Sequence, residues 1–381
     1  MIDRKLISMQ PLKKYLTEYK ELNGENKYRP VAVGRFGIRD RESIYSKELA
    51  KDYLKNKLIY KGTLTLGMGS VQMDIGILSE DVIYSVSPAY HTYKISDIDY
   101  DYLRYCLQYR NMDMFIRFMK RGSRQGKSID LERWIEYEIP VYPLDIQFEI
   151  VRRLNNVQNV INLRQKELIN MNTLIKARFV ELFGDPVCNP KGWDKTALSL
   201  EAEIKIGPFG SLLHKEDYIT GGHALINPSH IIEGKIAPDN DLTISDEKYA
   251  ELAAYQLKEG DVVMGRRGEM GRCAVVDRPG LLCGTGSLLI RSKGDLSADY
   301  IQKIISFPSF KRTIEDMAVG QTMPNLNVPI VSDFQIIKPP KKVQDDYYTF
   351  VEQVDKSKVA IQKSLEKMQL LFDSLMQKYF C

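Results

Sequence analysis

Arg266, Arg267 and Arg272 fall inside the short stretch MGRRGEMGRC (264–273), interleaved with glycines. A guanidinium carries a planar fork of donors. It fits phosphate oxygens, or the N7 and O6 edge of guanine in a DNA major groove. A second cluster, RFMKRGSRQGK (117–127), holds Arg117, Lys120, Arg121, Arg124 and Lys127 and no acidic residue. It also holds Gln125, whose amide matches adenine. A third stretch, GPFGSLLHKED (207–217), offers Ser211, His214 and Lys215 on a polar loop. One such side chain alone is an ordinary solvated group. Clustered in glycine-bearing loops, they are candidate nucleic-acid contacts. Thr322, Asn325 and Asn327 of GQTMPNLN (320–327) read first as a structural turn into a return strand and second as a DNA contact.

Other chemistries find little support. LGMGS (66–70) and GPFGS (207–211) lack the strand-glycine-helix context of a dinucleotide fingerprint, and no GxxxxGK[ST] loop occurs. SPAY (87–90) echoes the (N/D)PP(Y/F) motif of adenine methyltransferases. It has Ser87 where an amide or carboxylate should accept the adenine amino group, and it lacks the second proline. His91, His214, His223 and His230 form no HExxH or similar ligand pair, so no metal site is expected. The five cysteines are odd in number and contain no CxxC, which argues for reduced thiols and a cytoplasmic setting. Net charge is +4, which permits an acidic partner without demanding one. The first residues, MIDRKLISMQPLKKYL, have no apolar core of signal-peptide length, and no run of eighteen apolar residues predicts a membrane span.

The loops must be held by larger elements, and those elements occur twice. YKGTLTLGMGSVQMDIGIL (60–78) lies over KEGDVVMGRRGEMGRCAVV (258–276), with Gly62 over Gly260 and Gly67 over Gly265. Further on, DYLRYCL (101–107) lies over DYIQKII (299–305), and IPVYPLDIQFEIV (139–151) over IKPPKKVQDDYYTFV (337–351). Each copy of the hairpin pattern reads as two strands. Residues 298–318 read as a helix broken near Pro308.

Each copy then ends in a long helix. Steps of four and three from Ile150 reach Leu154, Val157, Ile161, Arg164, Leu168, Met171, Ile175, Arg178 and Leu182. The second copy reads Tyr347, Val351, Val354, Lys358, Ile361, Leu365, Met368, Phe372, Leu375 and Tyr379. This is a coiled-coil seam written twice in one register, each helix about 36 residues long. Pro140 and Pro143, and Pro339 and Pro340, mark the starts. RFVELFGDP (178–186) ends the first helix at Gly184 and Pro186, and LMQKYFC (375–381) repeats the ending. The helices are expected to pack on each other; the alternative is that each folds back on its own domain.

On these residues the chain resembles the specificity subunit of type I restriction-modification systems. The resemblance spans nearly the whole sequence. It is clearest in IGPFGSLLHKEDY, LKEGDVVMGRRGEMGRCAVV and GQTMPNLN, with ELFGDP after the first long helix. The first copy is more divergent, with no GPFGS counterpart and no arginine in LGMGS. The resemblance implies an α+β fold with two mixed α/β target-recognition domains. Two long antiparallel coiled-coil helices separate them, in an internal pseudo-twofold repeat. The boundaries are 1–142 for the first recognition domain, 143–186 for the central helix, 187–340 for the second domain and 341–381 for the C-terminal helix.

It also implies sequence-specific binding of double-stranded DNA, each domain reading half of a bipartite site, with no catalysis in this chain. The helix pair would set the spacer and dock methyltransferase subunits, which would carry S-adenosylmethionine; restriction subunits can join. Ile150, Leu154, Val157, Ile161, Leu168, Ile175, Val351, Val354, Ile361, Leu365, Phe372 and Leu375 are the expected seam and docking positions. The two rival readings are a stand-alone adenine methyltransferase and a coiled-coil adaptor that touches no DNA.

Overall fold

The computed structural model describes residues 6–34, 37–43, 52–121, 127–318 and 325–381. The chain divides into two compact units. One comprises Met1–Leu168 with Ala360–Cys381, the other Ile169–Val359. Both long helices are therefore shared between units, and each unit is built from one half of each.

The internal repeat is visible in the sheets. In the first unit a four-stranded antiparallel sheet runs Leu16–Glu18, His91–Ile95, Thr63–Met68, Met73–Leu78. In the second the order is Ala202–Ile206, Ser287–Ser292, Val262–Gly265, Cys273–Val275. The hairpins expected over LGMGS and GRRGEMG form the last two strands of each order, an inner strand and an edge strand. A strand near the start of each copy pairs with the return strand: Ser8–Pro11 with Glu138–Val141, and Lys195–Ala197 with Gln335–Ile337.

The apolar run at 262–264 follows from burial on both faces. Successive strand residues point to opposite sides. Val262 and Met264 pack with Ile301, Ile304 and Phe310 of the helices Ala298–Ile305 and Pro308–Met317. Val263 packs the other way, with Ala224, Ile231 and Leu289. Pro308 opens the second of these helices, because its missing N–H costs nothing in a first turn. The units differ in what covers the outer face. The second has a five-stranded sheet in which His223–Ile226 runs parallel to Leu281–Cys283. The first has two-stranded ribbons, Val31–Gly34 with Gly37–Asp40 and Lys57–Ile59 with Tyr84–Val86.

The long helices run Leu144–Phe183 and Lys341–Phe380, 40 residues each, or roughly 60 Å. They begin earlier than the seam alone predicts, directly after Pro143 and Pro340. They are antiparallel. In the first unit Ile150, Leu154 and Ile161 share a core with Phe372, Met376 and Tyr379. In the second, Phe179 and Phe183 share one with Tyr347, with Ile175 and Val351 packed against it. Every seam position named from the sequence is buried or half-buried, including Arg164, Arg178 and Lys358. The same helix halves also pack on the globular parts, so mutual packing and packing onto a domain coexist.

One polar arrangement joins helix to domain in both units. Gln147 and Gln344 are buried in the first turns of the two helices. Gln147 Oε1 accepts from the N–H of Asp99 at 2.9 Å, and its Nε2 donates to the Tyr142 carbonyl at 2.7 Å. Gln344 repeats this with the Ser297 N–H at 3.5 Å and the Pro339 carbonyl at 3.1 Å. Asp99 and Ser297 cap the helices Tyr100–Phe118 and Ala298–Ile305. Just inside those caps, the Tyr102 hydroxyl donates to Pro140 and the Tyr300 hydroxyl to Ile337, at 2.8 and 3.1 Å.

The repeated helix ending completes the arrangement. Phe380 stands edge-on to Tyr102 at 5.3 Å, and Phe183 edge-on to Tyr300 at 5.1 Å. The helix that starts against one domain thus ends in the tyrosine pocket of the other copy. Gly184, at φ +77°, then stops the first helix, where a Cβ would meet Pro190 at 2.7 Å.

Removing either glutamine leaves a half-buried N–H and a buried carbonyl without this partner. Gln147→Ala and Gln344→Ala should each cost about 2–4 kcal/mol, read as a lower urea midpoint. Unchanged midpoints would show that the glutamines do not carry these junctions.

Candidate nucleic-acid interface

In the second unit the central strand Val262–Gly265 hands over to Arg266 at the end of the sheet. The Arg266 N–H donates to the Gly286 carbonyl at 3.0 Å, and its own carbonyl accepts from the Leu326 N–H at 3.0 Å. Arg267 pairs antiparallel with Asn325. Directly paired residues project to the same face, which sets the arginine and the amide side by side. The turn at Asn227-Pro228 supports the hairpin from behind. Asn227 Oδ1 accepts from the Gly286 N–H at 3.2 Å, and a Cβ on Gly265 would lie 3.1 Å from Pro228.

The three arginines differ. Arg267 is exposed and makes no ion pair among the described residues. Arg266 is half-buried; burial, and then the charge of Arg267, lower its pKa. Its Nε and the Asn325 Oδ1 are buried and have no partner among the described residues. Arg272 is engaged. It pairs with Glu269 and donates to the Pro228 carbonyl at 3.3 Å, while Lys311 meets the same Glu269 at 3.0 Å. Hydrogen bonds from Arg272 and Lys311 hold the Glu269 carboxyl below its usual range. Sequence alone offers three guanidinia to an external ligand; the pairing of Arg272 with an acid three residues back withdraws one of them. Ser211, His214 and Lys215 are exposed, with the His214 N–H donating to Asp217 at 2.6 Å.

In the first unit the basic stretch forms a hairpin, Met119–Arg121 with Lys127–Ile129. Arg124 and Gln125 lie outside the described residues, as does Thr322. Arg121 ends the first of these strands. Lys127 donates to the Ser70 carbonyl and sits 5.2 Å from the centre of the Phe115 ring. The basic hairpin is thereby tied to the LGMGS turn, a contact that sequence did not foretell. Lys120 pairs with Asp130 at 3.0 Å and Arg117 with Asp113 at 2.7 Å. Acids flanking the cluster therefore neutralise two of its five cations. The bond from Lys120 keeps Asp130 below the usual carboxylate range.

The two tips share a plan. In each unit, a residue that follows the helices beside the four-stranded sheet meets the turn of its last hairpin, Lys127 at Ser70 and Asn325 at Arg267. The chain then enters a short capped helix, Leu131–Trp134 after Asp130 or Val328–Ser332 after Asn327. Asn325, paired with Arg267, is thus the counterpart of Lys127, bonded to Ser70. Asn327 caps through a bond from the Ile330 N–H at 3.0 Å, a structural role; Asn325 stands at the tip.

The residues that echoed enzyme motifs have packing roles. The Tyr90 ring of SPAY lies so close to Gly67 that a Cβ there would meet it at 2.4 Å, and its hydroxyl donates to Val33 at 2.9 Å. Burial pushes the Cys106, Cys273 and Cys283 thiols up to about 12. Among the described residues no group of three His, Cys, Asp or Glu is placed to hold a metal, and no helix is long and apolar enough to cross a membrane.

The family model for the type I restriction modification DNA specificity domain matches twice, over residues 11–172 and 212–370. The chain belongs to this type I specificity family. The specificity subunit of the type I restriction enzyme MjaVIII from Methanocaldococcus jannaschii is 20% identical over 296 residues, 71% of this chain and 68% of that protein. Among solved structures, the type I restriction-modification S subunit from M. genitalium has a TM-score of 0.53 at 14% identity, covering 100% of this chain and 98% of that one. A chain solved in work on complex assembly and conformational transition of the type I R-M system has a TM-score of 0.64 at 14% identity, over 98% and 97%. Both establish a shared fold. The two family segments each contain one of these hairpin tips, so the specificity-family plan and the internal repeat coincide.

Gly67→Ala drives a methyl into the Tyr90 ring and should cost about 1–3 kcal/mol. Gly67→Ala with Tyr90→Ala should cost less than the sum of the two single changes, measured as a double-mutant cycle in urea. Strict additivity would show that the contact is not felt.

Proposed function

We propose that this chain is the DNA-reading subunit of a type I restriction-modification complex, with each unit recognising half of a bipartite site. The observation that carries this reading is one hairpin plan built twice, within two matches to a DNA specificity domain. Positioning comes from phosphate contacts and specificity from base edges. In the second unit Arg267 and Asn325 are the best-placed readers, and Ser211, His214 and Lys215 offer phosphate contacts beside them. In the first unit the tip is the basic hairpin with the LGMGS turn. The chain performs no chemistry of its own; S-adenosylmethionine and base extrusion belong to methyltransferase partners. Restriction subunits can join the complex, and its setting is the cytoplasm.

The helix pair serves as spacer and dock. The seam residues are spent on packing within the chain, which leaves the outer faces for partners. Leu163, Ile169 and Leu174 on the first helix and Val359, Leu370 and Leu371 on the second are exposed apolar side chains suited to methyltransferase subunits.

The central test is a methylation map. This chain, expressed with its methyltransferase subunit, should place N6-methyladenine in a two-part motif with a fixed unread gap, and omitting the chain should abolish it. A continuous motif, or methylation that persists without the chain, would overturn the reading. Seven residues added to both helices, near Leu168 and Val359, should lengthen the gap by about three base pairs and leave both half-sites unchanged. An altered half-site with the original gap would exclude the spacer role.

Arg267→Ala should weaken binding and lower the slope of log K against log salt by about 1, if Arg267 meets a phosphate. If it meets guanine, the second half-site should relax at one base instead. Arg272→Ala should change the slope little, because Glu269 already holds that charge.

A further inference from the structure

Phe209 is 63% exposed, although its neighbours Gly207 and Pro208 are buried. Apart from Phe148 on the first long helix, it is the one exposed phenylalanine among the described residues. Scattered apolar side chains on a surface are ordinary, so exposure alone says little. The way this one is held says more. The Gly207 N–H donates to the Ser287 carbonyl at 3.1 Å. A Cβ on Gly207 would lie 2.1 Å from the Gly284 carbonyl oxygen, so that residue must be glycine for the loop to sit this close. Beyond Phe209, Gly210 turns at φ +64°, the Leu212 N–H donates back to the Phe209 carbonyl at 3.4 Å, and Leu213 packs into the Leu225, Ile244 and Leu252 cluster. An aromatic ring is thus presented outward on a loop fastened on both sides.

The loop stands at the arginine end of the sheet. Ser287, which receives Gly207, is the register partner of Gly265, and Gly286 receives the N–H of Arg266. Polar donors follow at once in Ser211, His214 and Lys215. A rigid apolar side chain flanked by phosphate-binding groups is what proteins use to part a base step, since stacking on an aromatic ring replaces part of the stacking lost. Among the described residues the first unit shows no counterpart on the equivalent strand. That strand, Leu16–Glu18, runs into Tyr19, whose hydroxyl donates inward to the Leu58 carbonyl at 2.8 Å and whose ring faces Tyr60 at 5.4 Å.

We infer that Phe209 is a wedge that inserts against a base step of the half-site read by the second unit. DNA is then distorted by this chain in that half-site and not in the other. This inference rests on the second unit reading DNA.

The test uses the full chain assembled with its methyltransferase subunits and a duplex carrying both mapped half-sites. 2-Aminopurine is placed in turn at steps other than the methylated adenines. In the second unit's half-site, one position should brighten with the native chain and with Phe209→Leu, and stay dim with Phe209→Ala; in the first half-site, where base extrusion by the methyltransferase also unstacks neighbours, no brightening should depend on Phe209. Phe209→Ala should bind roughly 5- to 100-fold more weakly. Phe209→Trp should show emission quenched by DNA beyond the quenching seen in the same complex with the native chain. If the native complex binds this duplex while Phe209→Ala matches it in affinity and brightening, the wedge is wrong and the DNA reading stands. If the native complex does not bind the duplex, both fall. If Phe209→Ala instead loses its methyltransferase subunits, the ring is a protein contact and the wedge is wrong.

Discussion

The architecture hangs on a buried side-chain amide at the start of each long helix. Gln147 and Gln344 each join three pieces of chain: the helix itself, the turn before it, and the cap of the helix beside the central sheet. An amide suits this place because it both donates and accepts, while a carboxylate could only accept. With no water to compete, losing either bond leaves a backbone group unpaired. The edge-on phenylalanine then closes the same tyrosine from the far end of the other helix. Together these contacts make helix direction and domain position one decision, so the loops at the tips ride on a defined base.

That base explains why the tips can differ. The four-stranded sheet with its hairpin, the helices beside it and the return strand keep one plan in both units, while the outer sheet, the turn chemistry and the charge pattern diverge. Asn227 and Pro228 support one hairpin; Tyr90 supports the other. Both rely on a glycine at the same place, Gly67 or Gly265, because the supporting ring or turn sits where a side chain would be. Different half-sites can then be read from one framework without redesigning the core.

Much of this was legible in the sequence. The offset of Gly62 and Gly67 from Gly260 and Gly265 located the hairpins, since glycine spacing reflects backbone needs that survive divergence. The four-and-three pattern located the helices, because only one stripe of each is covered. What stayed hidden depends on contacts between distant segments. The glutamines lie in the aligned segments at 139–151 and 337–351, yet a glutamine in a helix is unremarkable until its depth is known. Arg272 looked equal to Arg267 until Glu269 and Lys311 were placed around it. Lys127 reads from sequence as one more candidate DNA contact; its bond to Ser70 ties two loops into one tip. The asymmetry at Phe209 was in view as a missing GPFGS in the first copy, but its exposure was not.

The sharing of helix halves has a consequence for how the chain is made. The first unit's core includes Phe372, Met376, Tyr379 and Phe380, whereas the second unit is complete once Val359 has been added. A ribosome therefore finishes the ingredients of the later unit first. The earlier one must wait, with the surface around Tyr102 and Ile150 open, until the last residues of the second helix emerge. Domains usually mature from the N-terminus onward during synthesis. Here the order of completion is reversed, and the growing chain passes through a stage in which its opening segment is translated but not yet closed.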